Sequence, residues 1–271
     1  MPGEILEKIE EWKRHFADWQ NSRQSIAGDI DESYPFVKNK HAPFLPARRA
    51  LPMLNLALIT SAGAYINGTG GFDTTAPDGD LTFREIPTGI ESEDLCFAAR
   101  GYDPTAVQQD INCQLPLARL FEFESNGIVG QLNPVFWSFC GFIPNAARLV
   151  EEMLPSLVER VVRYEAQAAL LIPASQLCHQ SVSLAARALE QARIPTMTIG
   201  VDKGVLEMVR PPRGVFYSGH LGRVAGEPNW PEHQRRVLDE SLRLIEPMDH
   251  AGTRKLVVDL ETLVEQERGE R

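Results

Sequence analysis

The chain has 271 residues, 27 Lys and Arg against 37 Asp and Glu for a formal net charge of −10, and 43% hydrophobic residues. That length allows one large domain or two modest lobes able to bury a core without staples, and the hydrophobic content excludes a disordered chain. A pI near 5.2 argues against a phosphate-tracking nucleic-acid binder, which draws its affinity from clustered Lys and Arg.

The first residues, MPGEILEKIEEWKRHF, are charged throughout and do not read as a signal peptide. The most apolar stretch, LPMLNLALITSAGAY, is broken by Pro, Asn and Gly, so no membrane helix is expected and the location expected is cytoplasmic. Residues 4–20 place Ile5, Leu6, Ile9, Trp12, Phe16 and Trp19 at steps of three and four, which predicts an amphipathic arm. Its stripe should pack on the body or on a second copy, and a homo-oligomer is expected. Pro35, Pro43, Pro46 and Pro52, with Arg48 and Arg49, predict an extended connector up to residue 53. The body should occupy 54–271.

Residues 54–60, LNLALIT, predict the first buried parallel strand. The Gly-rich residues 63–92 predict one long irregular loop of functional type. A strand follows at 95–99, then a helix over 115–125 that stops at Asn126-Gly127. The spacing predicts a second helix from about 144 to 164, kinked at Pro155. Strand 168–173, helix 179–192 and strand 195–199 form a strand-helix-strand unit, and a last strand at 214–218 precedes a glycine-bearing loop and a helix over 230–245. The alternation predicts an α/β fold: a mostly parallel sheet with flanking helices, Rossmann-like, as one body or as two lobes meeting near 130–165. Ligands of such sheets sit outside the strand carboxyl ends, so the loops after residues 60, 99, 173 and 218 should share one face.

Cys96, Cys113, Cys140 and Cys178 are far apart with no C-x-x-C pair, which fits neither a disulfide scaffold nor a zinc ribbon. No metal ligand spacing is present, and Gly68-Thr69-Gly70-Gly71 lacks dinucleotide spacing, so no cofactor is expected. The segment ASQLCHQS (174–181) joins a buried strand to a helix and puts Cys178 near the helix amino terminus, where the dipole and unpaired amides favour a thiolate. His179 adjoins it. The competing reading is a small, buried structural cysteine.

Several stretches occur in order along the chain: SYPFVKNKHAPF (33–44), GDLTFREIP (79–87), GYDPTAVQQDIN (101–112), NGIVG (126–130), CHQSVSLAARALEQARIP (178–195), RPPRGVF (210–216), GEP (226–228) and HQRRVL (233–238). With them the chain resembles the selenoprotein B family, the substrate-binding subunits of glycine, sarcosine and betaine reductases, the D-proline reductase subunit, and relatives without selenium. The resemblance implies an α/β fold whose reactive loop carries cysteine or selenocysteine three residues apart. Cys178 matches the second position of that pair, Ser175 stands at the first, and Ser181 takes the next place in the spacing. Serine does not undergo thiol exchange, so electrons would have to come through Cys140, or from an external thiol or redox partner protein.

By the same resemblance, Cys178, His179 and His220 are candidate catalytic residues, His220 as an acid/base group in a loop where Arg223 replaces the family's histidine. Tyr102, Asp103, Asp110, Asn112, Ser175 and Gln180 are candidates for binding a small amino-acid-like substrate, although Asp and Asn equally make turns and caps. Arg84 is a candidate carboxylate partner or a surface charge. The implied function is an oxidoreductase-like enzyme acting on an amino-acid-like or other nitrogenous substrate through a single reactive cysteine, with iodoacetamide expected to label Cys178 first. A non-redox cysteine enzyme, a racemase or lyase, and a non-catalytic small-molecule-binding subunit are the alternatives.

Overall fold

The structure, a computed structural model, describes residues 2–22 and 30–258, together with Val264 and Arg268. The remaining residues of the predicted arm and of the carboxyl end of the body lie outside the described residues.

The arm consists of α1 (Pro2–Ile5) and α2 (Ile9–Ser22). Trp12, Phe16 and Trp19 point inward and stack in series, and Tyr34 meets Phe16 and Trp19 edge-on. The Trp12 indole donates to the Pro35 carbonyl at 2.7 Å, tying helix to connector. The stripe thus packs on the body. The connector is irregular, as its prolines require.

The strands are β1 (Asn55–Thr60), β2 (Ala64–Ile66), β3 (Phe83–Pro87), β4 (Leu95–Phe97), β5 (Gln131–Leu132), β6 (Val135–Phe139), β7 (Ala168–Ile172), β8 (Thr196–Gly200), β9 (Arg213–Phe216) and β10 (Gly252–Lys255). The helices after the arm are α3 (Thr105–Gln109), α4 (Leu117–Ser125), α5 (Ala146–Arg148), α6 (Leu154–Arg163), α7 (Gln176–Gln191), α8 (Lys203–Val209) and α9 (Pro231–Leu242). The main sheet runs β10-β9-β8-β7-β1-β6-β3, with β5 also beside β1. Every pairing in it is parallel except β3 with β6. This is the expected α/β class. Strands on both sides of 130–165 belong to this one sheet. No helix among the described residues is long and apolar enough to cross a membrane.

Alternation along β1 divides the core. Ala57 and Ile59 face the layer of α2, α6, α7 and α8, whereas Leu56 and Leu58 face α4 and α9. From β1 the chain leaves toward α4, and from its neighbour β7 toward α7, so a topological switch point lies between these strands.

Three elements differ from expectation. The segment 63–92 is not one loop: β2 pairs antiparallel with β4 in a small side sheet, and β3 closes the edge of the main sheet. β6, unassigned from sequence, is a central strand whose Phe136, Trp137 and Phe139 are buried. The helix around Pro155 has no simple kink, because a π turn at Leu149–Met153 lets Pro155 fall in the first turn of α6, where its missing N–H costs nothing.

α7 is the hub. Every residue from Leu177 to Glu190 is buried, although the stretch includes His179, Gln180, Arg187 and Glu190. A helix buried on all sides is normally apolar all round, so each polar group here needs a partner.

Candidate functional site

Ser175 caps α7: its hydroxyl oxygen accepts from the Cys178 amide at 3.2 Å. The cap carries the Cys178 sulfur inward, to 3.0 Å from the Ser175 hydroxyl, which donates to it, and 3.8 Å from the Ser61 carbonyl after β1. From the third side comes Gly141, after β6. A Cβ there would lie 2.9 Å from the Cys178 sulfur and 2.4 Å from the Ser61 Cβ, so only glycine fits. Three neighbouring strand ends therefore converge on one sulfur.

Tyr102 closes the fourth side. It packs with Phe97 on Ala62, Ala174 and Cys178, and its hydroxyl donates to the Ala62 carbonyl at 2.7 Å. Burial, then the neighbouring Cys178, Cys140 and Cys113 sulfurs, push the Tyr102 pKa above its ordinary value, so it is a neutral donor. Gly101, at φ +76°, brings this loop onto Phe142 and Ser175, where a Cβ would overlap the Phe142 ring. The Gly222 amide donates to the Ala174 carbonyl at 2.8 Å, bringing in the loop after β9. The loops after residues 60, 99, 173 and 218 do meet on one face.

The sulfur is not open to solvent. Cys178 is 1% exposed, whereas Cys96 is half-buried. This corrects the expectation that iodoacetamide meets Cys178 first: the inward turn of the cap places its sulfur beneath the Tyr102 ring. Cys140 adjoins Gly141, bridges Ala62 in antiparallel register and is 3% exposed. Burial and then the adjacent Cys178 sulfur push the Cys140 thiol up to about 12.

The other candidates are distributed around this centre. His179 is fully buried and points to β8: its Nε2 accepts from the Val201 and Asp202 amides at 3.0 and 3.2 Å, so Nδ1 carries the proton donated to the Ser175 carbonyl at 2.7 Å. Burial lowers its pKa and keeps the ring neutral. Gln180 accepts from the Val37 amide at 2.7 Å and donates to the Tyr34 hydroxyl at 2.8 Å, which docks the connector. Ser181 donates to the Gly141 carbonyl at 2.8 Å.

Asp110 accepts from Asn112, from the Asn229 amide and from Gln234 Nε2 at 2.6 Å; these bonds outweigh its burial and hold its pKa below the usual carboxylate value. Asn112 in turn accepts from the Ala118 amide. Asp103 accepts from Thr105 at the surface. Arg84 lies over the Phe72 ring and donates to the Gly70 and Gly71 carbonyls, fastening the first part of the 63–92 segment to β3. His220 is exposed on the loop that carries Gly222. Only Tyr102 and Ser175 of the predicted binding set touch the sulfur's enclosure directly.

Sequence reasoning missed Ser61, Gly141 and Gln114. Gln114 is fully buried, donates to the Pro173 carbonyl at 2.7 Å and accepts from the Val224 amide at 3.1 Å, locking two of the converging loops. Nothing in its flanks, ordinary for a turn, signals this. Among the described residues no group of three or more His, Cys, Asp or Glu is placed to hold a metal ion.

The class is thus an α/β protein whose switch-point loops enclose a cysteine at the start of the central helix. The chain is 30% identical over 207 residues to D-proline reductase subunit gamma of Acetoanaerobium sticklandii, a match covering 76% of this chain and 84% of that protein. It is 24% identical over 172 residues to glycine reductase complex component B subunit gamma of Symbiobacterium thermophilum, covering 61% of this chain and 39% of that one. The chain belongs to the family of these reductase subunits, the selenoprotein B-like family. No protein-family model and no solved structure matches it.

Proposed function

We propose that the chain is a reductase-related subunit that acts on a small amino-acid-like or other nitrogenous substrate through Cys178. The observation that carries this reading is the convergence of β1, β6 and β7 on one sulfur at a helix start, in a chain whose relatives are named as reductase subunits. The Ser175 hydroxyl donates to the sulfur at the first turn of α7 and holds it toward the converging loops. Tyr102 is the roof that moves for substrate to enter, His179 and Gln180 position the segment, and Asp110 and Asn112 brace the rim. Asp103, Arg84 and His220 serve the substrate from the rim in this reading, His220 as acid/base.

A two-electron reduction consumes two thiols: the substrate gains two electrons and two protons while the thiols close into a disulfide. Cys178 supplies one. Cys140, or a thiol of a partner subunit or redox protein, supplies the other. The experiment incubates the chain with a dithiol and a panel of proline enantiomers, glycine, sarcosine and betaine, alone and with co-expressed partner subunits, and follows substrate loss by mass spectrometry. Turnover is expected to vanish in Cys178→Ala with the fold retained, and equal turnover in that variant overturns the reading. Activity that persists without dithiol identifies the non-redox alternative.

The enclosure of Cys178 favours a second reading, a binding subunit whose chemistry resides in a partner. Saturable substrate binding without conversion, identical in Cys178→Ala, selects it.

A further inference from the structure

We propose that a cavity at the opposite end of the sheet binds a small organic anion. The cavity, about 270 Å³, is lined by Leu45, Pro46 and Leu54, by Gln167 before β7, by Pro195 before β8, and by three arginines, Arg48, Arg49 and Arg193. It lies at the amino ends of β1, β7 and β8, the strands whose carboxyl ends carry the Cys178 enclosure and the His179 contacts. At about 3.3 Å per residue over five- or six-residue strands, the two places are roughly 15–20 Å apart.

The arginines are what make this a site. Several guanidinium groups elsewhere are engaged: Arg148 with Asp78 and Glu152, Arg160 with Glu85, Arg213 with Glu190, Arg235 with Glu122. The side chains of Arg48, Arg49 and Arg193 form no ion pair or hydrogen bond among the described residues, in a chain with ten more acidic than basic groups. Three exposed guanidiniums without a carboxylate partner among the described residues line one concavity, and their planar donor forks match a carboxylate or phosphate bidentately. Glu190, behind Leu45, does not neutralise them: it is occupied by Arg213 and by the Leu45 and Thr196 amides.

Gln167 adds a donor. Its Oε1 accepts from the Asn55 amide, which leaves the amide NH₂ for a ligand. The volume corresponds to about nine waters at roughly 30 Å³ each, enough for a charged head and a short carbon body against Leu45, Pro46, Leu54 and Pro195, and too little for a macromolecular element. The ligand class is a small phosphorylated or multiply carboxylated metabolite. The inference stands independently of the role of Cys178.

Isothermal titration of the full chain with glycerol 3-phosphate, inorganic phosphate and succinate, at constant ionic strength against chloride, tests it. Saturable binding is expected for at least one of them, weakened about tenfold or more in Arg48→Ala and in Arg193→Ala and unchanged in Cys178→Ala. The stronger arm identifies the head group as phosphate or carboxylate. Absence of saturable binding up to about 10 mM, binding indifferent to the arginine substitutions, or binding lost in Cys178→Ala overturns the proposal. A urea midpoint for each variant shows that the fold is retained, and these exposed arginines are expected to leave it unmoved.

Discussion

At its amino end α7 carries neutral polar side chains, with Ser175 capping the helix and Cys178, His179, Gln180 and Ser181 each joined to a different segment, whereas its carboxyl half takes the charges of Arg187 and Glu190 into burial as complete. Arg187 donates to the carbonyls of Glu4, Ile5, His41 and Arg210, and burial lowers its pKa to about 10. Glu190 pairs with Arg213 at 2.8 Å, both side chains being 0% exposed, and also accepts from Leu45 and Thr196. The carboxyl half thus clamps the arm and connector through charge, and the amino end gathers loops around a sulfur through neutral hydrogen bonds. Charged clamps fail expensively when half is removed, while neutral hydrogen bonds can open one at a time. That difference suits a rigid anchor at one end and a site that opens at the other.

Breaking the clamp should have the largest effect. Arg213→Ala leaves Glu190 buried without its partner and is expected to cost about 3–5 kcal/mol in urea unfolding. A loss below about 1 kcal/mol would mean that water replaces the guanidinium. At the amino end, Gln114→Ala is expected to cost about 1–3 kcal/mol, since the Pro173 carbonyl and the Val224 amide lose their partner. The same variant should speed alkylation of Cys178, by about tenfold for each 1.4 kcal/mol removed from loop opening. Peptide mapping after iodoacetamide separates it from Cys96, which should react first in the unaltered chain.

A smaller effect sharpens the comparison chemically. Ser175→Ala removes the cap and should cost about 1 kcal/mol by urea midpoint, whereas Ser175→Cys places a thiol where the hydroxyl now lies 3.0 Å from the Cys178 sulfur. That variant is expected to close a disulfide under mild oxidation, detected as a loss of two mass units that dithiothreitol reverses. Persistent free thiols would show that the cap does not hold these positions in register.

The smallest effect concerns pH. His179 is held neutral by burial, so its folded pKa lies below the unfolded value of about 6.5, and the unfolded chain takes up the proton first on acidification. Its contribution is complete above that value and is lost as the pH falls toward the folded pKa, at no more than about 1.4 kcal/mol per pH unit for one proton. The difference in urea midpoint between the unaltered chain and His179→Gln should therefore narrow between pH 7.5 and pH 5. A constant difference would place His179 outside this linkage.

Much of the architecture was legible because β1 and β7 are apolar runs bounded by turn residues, β8 is a short β-branched stretch after Pro195, and residues 176–191 lack breakers. β6 escaped because VFWSF follows Asn-Pro and is too short to separate from a buried loop by period. β3 escaped because its edge position tolerates Arg84, Glu85 and Pro87. In the candidate site, Cys178 and Ser175 were legible from the helix start. Ser61, Gly141 and Gln114 were not, since their importance lies in what approaches them from 37 to 117 residues away in sequence.

The sequence by itself determined the α/β class, the order of the central strands' elements and the placement of one cysteine in the first turn of a helix, because apolar period and capping chemistry act over a few residues. Only the tertiary structure decided that this sulfur is enclosed rather than open, that the flanking His179 and Gln180 reach outward to β8 and to the connector, and that three arginines line one cavity at the far end of the sheet. Those outcomes depend on which distant groups satisfy each buried donor and acceptor, a condition set by the assembled layers and not by any local window.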